Sequence, residues 1–458
     1  MAGEGLFGEL PEQAKPQTDT APFSPPRLRE PTRDQIELRA TDLDGLIGED
    51  HLARVIWAFV LTLDLSELEN RIKARGSNPG HPTIAPRLML ALWVYATSQG
   101  VGSARALARL CESHDGYRWL CGGVSVNYHT LGDFRIGHAD VFDRLLSEHL
   151  ASLAEAGIVD LATLAQDGVK IRASAGTSSF RRAETLERKL EMAQAVVEQL
   201  KTETETHPEE SNKRIQAARE RAARERVERV KAAKAALEEL KGKRRQLEEK
   251  GGNGKKPKEP RASTTDADAR VMKMADAGFR PAYNVQVTSA AGTQMIVAVD
   301  VGNNGSDRGL MRPMLEQLGA RLGRFPKHHI VDGGFCCASD IEWAHDQNIE
   351  VFCPPTKSKS GVDPYQPRPS DGPGGLAWRA RMASEAGKVQ YAIRVICECI
   401  HARWRNWNLR QVTVRGREKV RAVVTLHAFT NNILQGLRLQ QQYLLATNHS
   451  LGCRLVAL

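Results

Sequence analysis

The chain has 458 residues, too many for one compact core, and its length predicts two or three domains. Hydrophobic residues at 41% and charged residues at 26% are typical of a globular protein and exclude a chain that is disordered throughout. The formal net charge of +9 favours a polyanionic partner. Because it shows neither a secretory signal nor an apolar run of the ~18 residues that a membrane span requires, we expect a cytoplasmic protein without a membrane partner.

The first third of the chain divides into two regions of different composition. Residues 1–33 are rich in Pro, Thr, Glu and Gly without apolar periodicity, which predicts a disordered leader. Residues 34–157 show helical periodicity punctuated by Gly and Pro, and they predict an all-helical first domain. Its clearest predicted helices are 53–63, 86–97 and 103–111.

A highly charged segment follows at 181–260, with 22 basic and 16 acidic residues. Two apolar series at coiled-coil spacing run through it, one from Leu186 to Leu200 and one from Ile215 to Leu240. They predict a helical hairpin, an inserted arm, with Pro208 near its turn and a flexible run from Gly251. The favoured interpretation of this arm is a solvated spacer or dimerising element without chemistry of its own.

The segments on either side of the arm, 158–180 and 261–435, predict one interrupted sheet. The predicted order is strand, arm, two hairpin strands, helix, strand, helix, strand and a last strong helix from about 384 past Trp404. That order is typical of a five-stranded mixed α/β sheet of ribonuclease-H-like topology, with residues 436–458 left as a tail. The predicted strands are 161–171, 282–288, 294–300, 329–332 and 349–353, and the shorter predicted helices are 307–322 and 338–347.

Two aspartates stand where apolar strands are predicted to end. Asp167 and Asp332 are each followed by glycine, and ligands of open α/β sheets bind where strands end. Two such carboxylates on neighbouring strands suit Mg²⁺, which takes oxygen ligands. Asp-Gly is also a common turn dipeptide, so each residue taken singly fits a plain turn equally well.

A third carboxylate lies on the last predicted helix. At about 100° per residue, Glu398 shares one stripe with Tyr391, Arg394 and Arg405. The apolar residues occupy the opposite side, as in a helix that is buried on one face and lines a site with the other. An ordinary surface helix with an Arg394–Glu398 pair explains the periodicity equally well. The apolar residues are Ile393, Ile396, Ile400, Trp404 and Trp407.

Taken together, these residues resemble a known signature. Asp167 in QDG, Asp332 in VDGGF and the string Tyr391-x2-Arg394-x3-Glu398-x6-Arg405 are similar to the catalytic signature of bacterial insertion-sequence transposases of the DDE class. That signature is usually written Y-(2)-R-(3)-E-(6)-K, so Arg405 stands where lysine is usual. The positive charge is kept, although a guanidinium contacts phosphate as a rigid fork and an ammonium does not.

The resemblance extends over most of residues 34–435 and implies a DNA transposase that cuts element ends and joins them to a target. It implies that Asp167, Asp332 and Glu398 hold two Mg²⁺ ions, with Mn²⁺ as a substitute, and that residues 34–157 bind DNA ends. The implied partner is double-stranded DNA, bound by a homo-oligomer associated with the nucleoid. Two alternatives stay open: a ribonuclease-H-like nuclease or resolvase without strand transfer, and a DNA-binding protein without activity.

Residues 379–421 carry eleven basic residues against three acidic ones, which favours DNA contact near the carboxylates over a merely solvated basic face. Trp404 and Trp407 are expected in the core rather than stacked on bases, and Asp300 and Asp307 at a strand end or helix cap rather than at a metal. By analogy alone, Arg105, Arg109, Arg118 and Arg135 are candidate phosphate contacts of the helical domain. The candidate DNA-binding residues around Glu398 are Tyr391, Arg394, Arg403, Arg405, Arg410, Arg415, Arg417 and Lys419.

Overall fold

A computed structural model of the chain describes residues 42–75, 82–206, 213–249, 259–356 and 361–455. The predicted leader, the turn of the arm around Pro208 and the glycine-rich run from Gly251 lie outside the described residues. Residues from Leu43 onward form one compact unit. No helix in the described part is long and apolar enough to cross a membrane.

The helical region predicted for the first third of the chain is present. Side chains start several of its helices: Ser103 accepts from the N–H of Ala106 and Asn127 from that of Thr130. The Trp93 indole donates to the carbonyl of Leu131 over 2.9 Å and joins two of these helices. The helices are α1 Leu52–Leu61, α2 Ser66–Asn70, α3 Pro86–Ser98, α4 Ala104–Ser113, α5 Asp115–Cys121, α6 Tyr128–Gly137 and α7 Ala139–Glu155.

The strands form the ribonuclease-H-like mixed sheet that the sequence predicted. The central order is β5-β1-β7-β8, with β1 antiparallel to β5 and parallel to β7. The sheet has six strands rather than five, because β4 and β6 both pair with the edge of β5 opposite β1. The strands are β1 Thr163–Arg172, β2 Phe180–Arg181, β3 Ala262–Ser263, β4 Arg270–Lys273, β5 Phe279–Ala290, β6 Ile296–Gly302, β7 His328–Ile330 and β8 Glu350–Phe352.

The charged insertion consists of two helices, α8 Ala183–Thr206 and α9 Lys213–Glu249, called the arm below. The short strands β2 and β3 pair antiparallel where the arm leaves the sheet. Leu186 of α8 packs with Val230 and Leu237 of α9 against Ala262 of β3. The predicted apolar stripe does not extend to Ile215, which is 60% exposed.

The helices depart most from the sequence prediction in three places. The helix predicted from residue 307 begins at Met311, and the helix predicted from 384 is two helices broken at Ile393 and Arg394. The final helix was missed and continues through residue 435 to Leu455. It is buried all round over 422–433, so it lacks the amphipathic period that reveals a helix. The remaining helices are α10 Met311–Leu322, α11 Ala338–Asp346, α12 Pro373–Ala383, α13 Glu385–Ala392, α14 Val395–Asn406 and α15 Arg417–Leu455.

Two hydrophobic clusters pack against the sheet. Val285 and Val287 of β5 pack with Ile400 and Trp404 of α14 in a cluster that extends into α1–α7 and α15. A second cluster joins β7 and β8 to α10, α11 and α12. Asp167 of β1 pairs with Val287 of β5 and so lies on the same face of the sheet as this valine, where a charged side chain is poorly solvated.

Candidate active site

Asp167 lies inside β1 rather than at its end, which corrects the sequence prediction. The strand continues to Arg172 because β5 pairs with it over that whole length. Its parallel partner β7 ends earlier: the pairing stops at Ala165 and Ile330. Asp167 therefore projects just beyond the end of β7, and Asp332 follows the same strand by two residues, at a strand end as predicted.

The Asp167 carboxylate is largely desolvated, with 15% of its side chain exposed. One oxygen accepts from the N–H of Gly168 at 2.8 Å, and the other lies 3.1 Å from Nη1 of Arg394. Burial raises the pKa of Asp167 to about 6, and the charges of Asp332 and Asp307 add to the rise, while the Gly168 N–H and Arg394 oppose it. Burial is therefore the main reason that Asp167 binds its proton more tightly than an exposed aspartate does.

Arg394 connects Asp167 to Glu398. It occupies the break between α13 and α14, and its Nη2 donates to Oε1 of Glu398 at 3.0 Å. Glu398 stands in the first turn of α14 with 60% of its side chain exposed. One guanidinium thus lies between two carboxylates that belong to different elements of the fold.

Asp332 and Tyr391 both interact electrostatically with Arg394. Asp332 begins a short 3-10 helix, and its Oδ1 accepts from the N–H of Gly334 at 2.7 Å. Burial raises the pKa of Tyr391, and the charge of Asp332 raises it further, whereas Arg394 lowers it. The charge of Asp332 also raises the pKa of Asp167, and the charges of both aspartates raise the pKa of Arg394.

The donor set suits a hard cation, although the carboxylates are not assembled as a metal centre. In the described ranges, no three His, Cys, Asp or Glu side chains are grouped so as to hold a metal ion. Carboxylate oxygens are nevertheless the ligands that Mg²⁺ prefers. Asp167 and Glu398 already hold one cation between them, the Arg394 guanidinium. Their chemistry therefore fits a divalent ion, provided that Arg394 moves from its position.

His401 is a site residue that the sequence analysis missed. Its Nδ1 lies 3.9 Å from Oδ2 of Asp167, and its buried Nε2 has no hydrogen-bond partner among the described residues. Burial, and then the charges of Arg405 and Arg394, lower its pKa to about 4. His401 follows Glu398 by three residues, so the helical wheel that grouped Arg394 with Glu398 could have revealed it.

Asp307 approaches β1 from the other face of the sheet. Its carboxylate accepts from the side-chain amides of Asn284 and Gln286 at 2.7 and 2.9 Å. A Cβ on Gly168 would lie 2.4 Å from this carboxylate, so only glycine leaves room for it. Asp307 is therefore neither a helix cap nor a strand end, and Asp300, also expected at a strand end, lies inside β6.

The basic candidates separate into buried and exposed groups. Arg403 donates to Asn431 and Gln294 at 2.5 and 2.6 Å, and Arg135 donates to the carbonyl of Gly102 at 2.6 Å, so both hold the fold together. Trp404 is buried in the core as expected, and Trp407 packs against it. The exposed candidates are Arg105, Arg109, Arg405, Arg410, Arg415, Arg417 and Lys419, and Arg118 pairs with Asp115.

Two family models match the chain. The transposase DDE domain matches residues 259–433, a span that contains Asp332, Arg394 and Glu398 and begins after β1 and the arm. The transposase domain DUF772 matches residues 41–136 in the helical region. No curated protein and no solved structure matches the chain. Because the two transposase models together match more than half of its residues, the chain belongs to the DDE transposases of insertion sequences.

Proposed function

We propose that this transposase cleaves DNA at the ends of its own element and transfers the freed strands to target DNA in a Mg²⁺-dependent reaction. Asp167, Asp332 and Glu398 are the proposed metal-holding and catalytic residues. The observation that carries the proposal is the Arg394 guanidinium, which joins Glu398 to a desolvated Asp167 that lies 227 positions away from Arg394. Residues so far apart in sequence share one cation only because the fold brings them together.

The chain's own residues have distinct proposed roles. Bound divalent ions would lower the pKa of an attacking water and stabilise the leaving oxygen of the phosphodiester. Asp167 would supply an oxygen from inside β1 beside the end of β7, Asp332 one from just beyond β7, and Glu398 one from α14. Arg394 holds Asp167 and Glu398 in the absence of ions, and it would be free to contact a DNA phosphate when ions are bound.

The proposed DNA contacts follow the exposed basic residues near α14. We propose that Tyr391 and Arg405 act with Arg394 on phosphates next to the site, and that the protein belongs to the Y-R-E branch with arginine at the last position. Arg410, Arg415, Arg417 and Lys419 extend the basic surface beyond α14. Binding of double-stranded DNA by a homo-oligomer is part of the same proposal.

Product analysis tests the reaction. Purified protein is incubated with a plasmid that carries its gene and the native flanking DNA, together with a second target plasmid. We expect joined products in Mg²⁺ or Mn²⁺ and none in EDTA. Cleaved ends without joined strands would assign the protein as a nuclease or resolvase, and DNA binding without any cleavage would contradict the proposed chemistry.

A further inference from the structure

A basic pocket of about 320 Å³ opens where the arm meets the body of the protein. The arm contributes Lys189 from α8 and Arg226 and Arg229 from α9, and the body contributes Arg415 from the loop before α15. Thr264 and Thr265, which follow β3, add polar groups. We propose that this pocket, called the arm-base pocket, binds the phosphate groups of a DNA strand and thereby makes the arm part of the DNA-binding surface.

Among the described residues, the four cations of the arm-base pocket are unpaired. In the part of the chain that the structure describes, none of their side chains makes a hydrogen bond or an ion pair, and no acidic residue lines the pocket. Other lysines of the arm are neutralised by neighbouring glutamates, as in Lys231–Glu228 at 2.9 Å and Lys241–Glu238 at 2.7 Å. Four like charges around one cavity repel each other, and a bound anion removes that repulsion.

Both walls of the pocket are anchored. On the body side, Asp266 accepts from the N–H of Gly416 at 3.2 Å, and Asp268 accepts from that of Arg417 at 2.8 Å, so the backbone after Arg415 is fixed. On the arm side, Val230 lines the pocket and also belongs to the apolar contact with Leu186. A site whose walls are held before binding loses less entropy when its ligand arrives.

Phosphate is the ligand that this chemistry favours. Arginine presents planar pairs of donors that match phosphate oxygens, and the pocket holds three arginines and one lysine. The identification of DNA as the source of the phosphates rests on the proposed function. A DNA backbone offers regularly spaced phosphates, so one strand can contact the arm and the body at once.

The test compares two double variants by their salt-dependent binding to a fluorescein-labelled DNA duplex of arbitrary sequence. Arg229→Gln/Arg415→Gln removes one cation from each wall, and Lys231→Gln/Lys241→Gln removes two arm charges that are already paired. We expect the slope of log affinity against log salt to fall by about two in the pocket variant. The control variant should keep nearly the slope of the unaltered protein. Equal slopes in the pocket variant and the unaltered protein would overturn the proposal.

Two further measurements separate the possible explanations. Thermal unfolding at low salt should show the pocket variant at least as stable as the unaltered protein, since repulsion has been removed. The second measurement repeats the thermal unfolding in millimolar inorganic phosphate. If phosphate stabilises the unaltered protein but not the pocket variant, and the two proteins have the same salt slope for DNA binding, the pocket binds free anions and the DNA assignment is wrong.

The pocket and the proposed chemistry can be tested independently of each other. Asp332→Ala should retain the full salt slope, because it leaves the arm-base pocket intact. If the pocket variant has a smaller salt slope but the unaltered protein cleaves no DNA, the pocket is supported and the proposed chemistry is refuted. If the unaltered protein cleaves DNA but the pocket variant keeps its full salt slope, the chemistry is supported and the pocket is refuted.

Discussion

The candidate active site and the arm contain the same kinds of charged residues, and their surroundings differ. In the arm, Lys231 and Glu228 are 52% and 69% exposed and lie three residues apart on one helix. At the site, Asp167 is 15% exposed and its partner Arg394 comes from a distant element. Exposed pairs of helical neighbours contribute little because water screens them. A buried carboxylate has a raised pKa, and a nearby cation stabilises its charged form.

Charge density alone therefore does not identify chemistry in this protein. The arm has by far the longer run of charges, and its lysines outside the arm-base pocket include several that are neutralised locally. The site has few charges, and one of them, Asp167, is held where the sheet and α14 largely exclude water. If burial is the property that separates the two regions, changes to the buried charges should have larger effects than changes to the exposed ones.

The largest expected effect concerns the three carboxylates. Asp167→Ala, Asp332→Ala and Glu398→Ala should each reduce metal-dependent DNA cleavage to background, because two-metal chemistry needs each of their oxygens. DNA binding, measured by fluorescence anisotropy, should stay close to that of the unaltered protein. Asp300→Asn, an exposed acid inside β6, is the matched control and should cleave normally. Retained cleavage in any one carboxylate variant would remove that residue from the site.

The second prediction concerns pH. Burial raises the pKa of Asp167 to about 6, so the folded state binds its proton more tightly than the unfolded chain does. Ionisation of Asp167 should therefore destabilise the fold as pH rises from about 4 to about 7. Relative to Asp167→Asn in EDTA, the unaltered protein should lose up to about 3 kcal/mol over this range in urea unfolding. If the difference in the free energy of unfolding between the two proteins does not change with pH, the raised pKa of Asp167 is contradicted.

The third prediction concerns the other face of β1. Gly168→Ala places a Cβ 2.4 Å from the Asp307 carboxylate and 2.7 Å from the Gln286 amide. The forced displacement should lower the free energy of unfolding by about 1–3 kcal/mol, measured by urea denaturation. Gly292→Ala is the control, because no atom lies within 4 Å of a Cβ there. Equal stability of the two variants would show that Asp307 does not pack against Gly168.

The smallest expected effect lies in the arm. Lys231→Gln breaks an exposed pair with Glu228 and should change the free energy of unfolding by less than about 0.5 kcal/mol. Urea denaturation of this variant provides the measurement. A loss comparable with that of Gly168→Ala would mean that the arm's ion pairs stabilise the fold and that the contrast between the regions is wrong.

Several features could be predicted because they depend on neighbouring residues. The strand at 329–332 was recognised from its apolar run and the glycines after it, and Asp332 does follow β7. Asp167 was misplaced at a strand end because the continuation of β1 depends on its pairing with β5, over a hundred residues later. Helix α15 was missed because it is buried on all sides over 422–433, so no polar face reveals its helical period.

The basic residues show the same limit. Arg403 and Arg405 are two positions apart and looked equivalent in sequence. Arg403 is held by Asn431 and Gln294, whereas Arg405 is exposed. Which arginine supports the fold and which faces solvent depends on the side chains of α15 and of the hairpin after β5.

The sequence by itself determined the order of the five predicted strands and the helices between them, the charged insertion and the four-residue spacing that lets Arg394 reach Glu398. Periodicity and turn chemistry act over a few residues, so they can be recognised along the chain. Only the tertiary structure decided that Asp167 meets Arg394, that His401 lies beside it and that Arg415 faces the cations of the arm. Burial and long-range pairing depend on how distant segments pack, and local spacing carries no record of that packing.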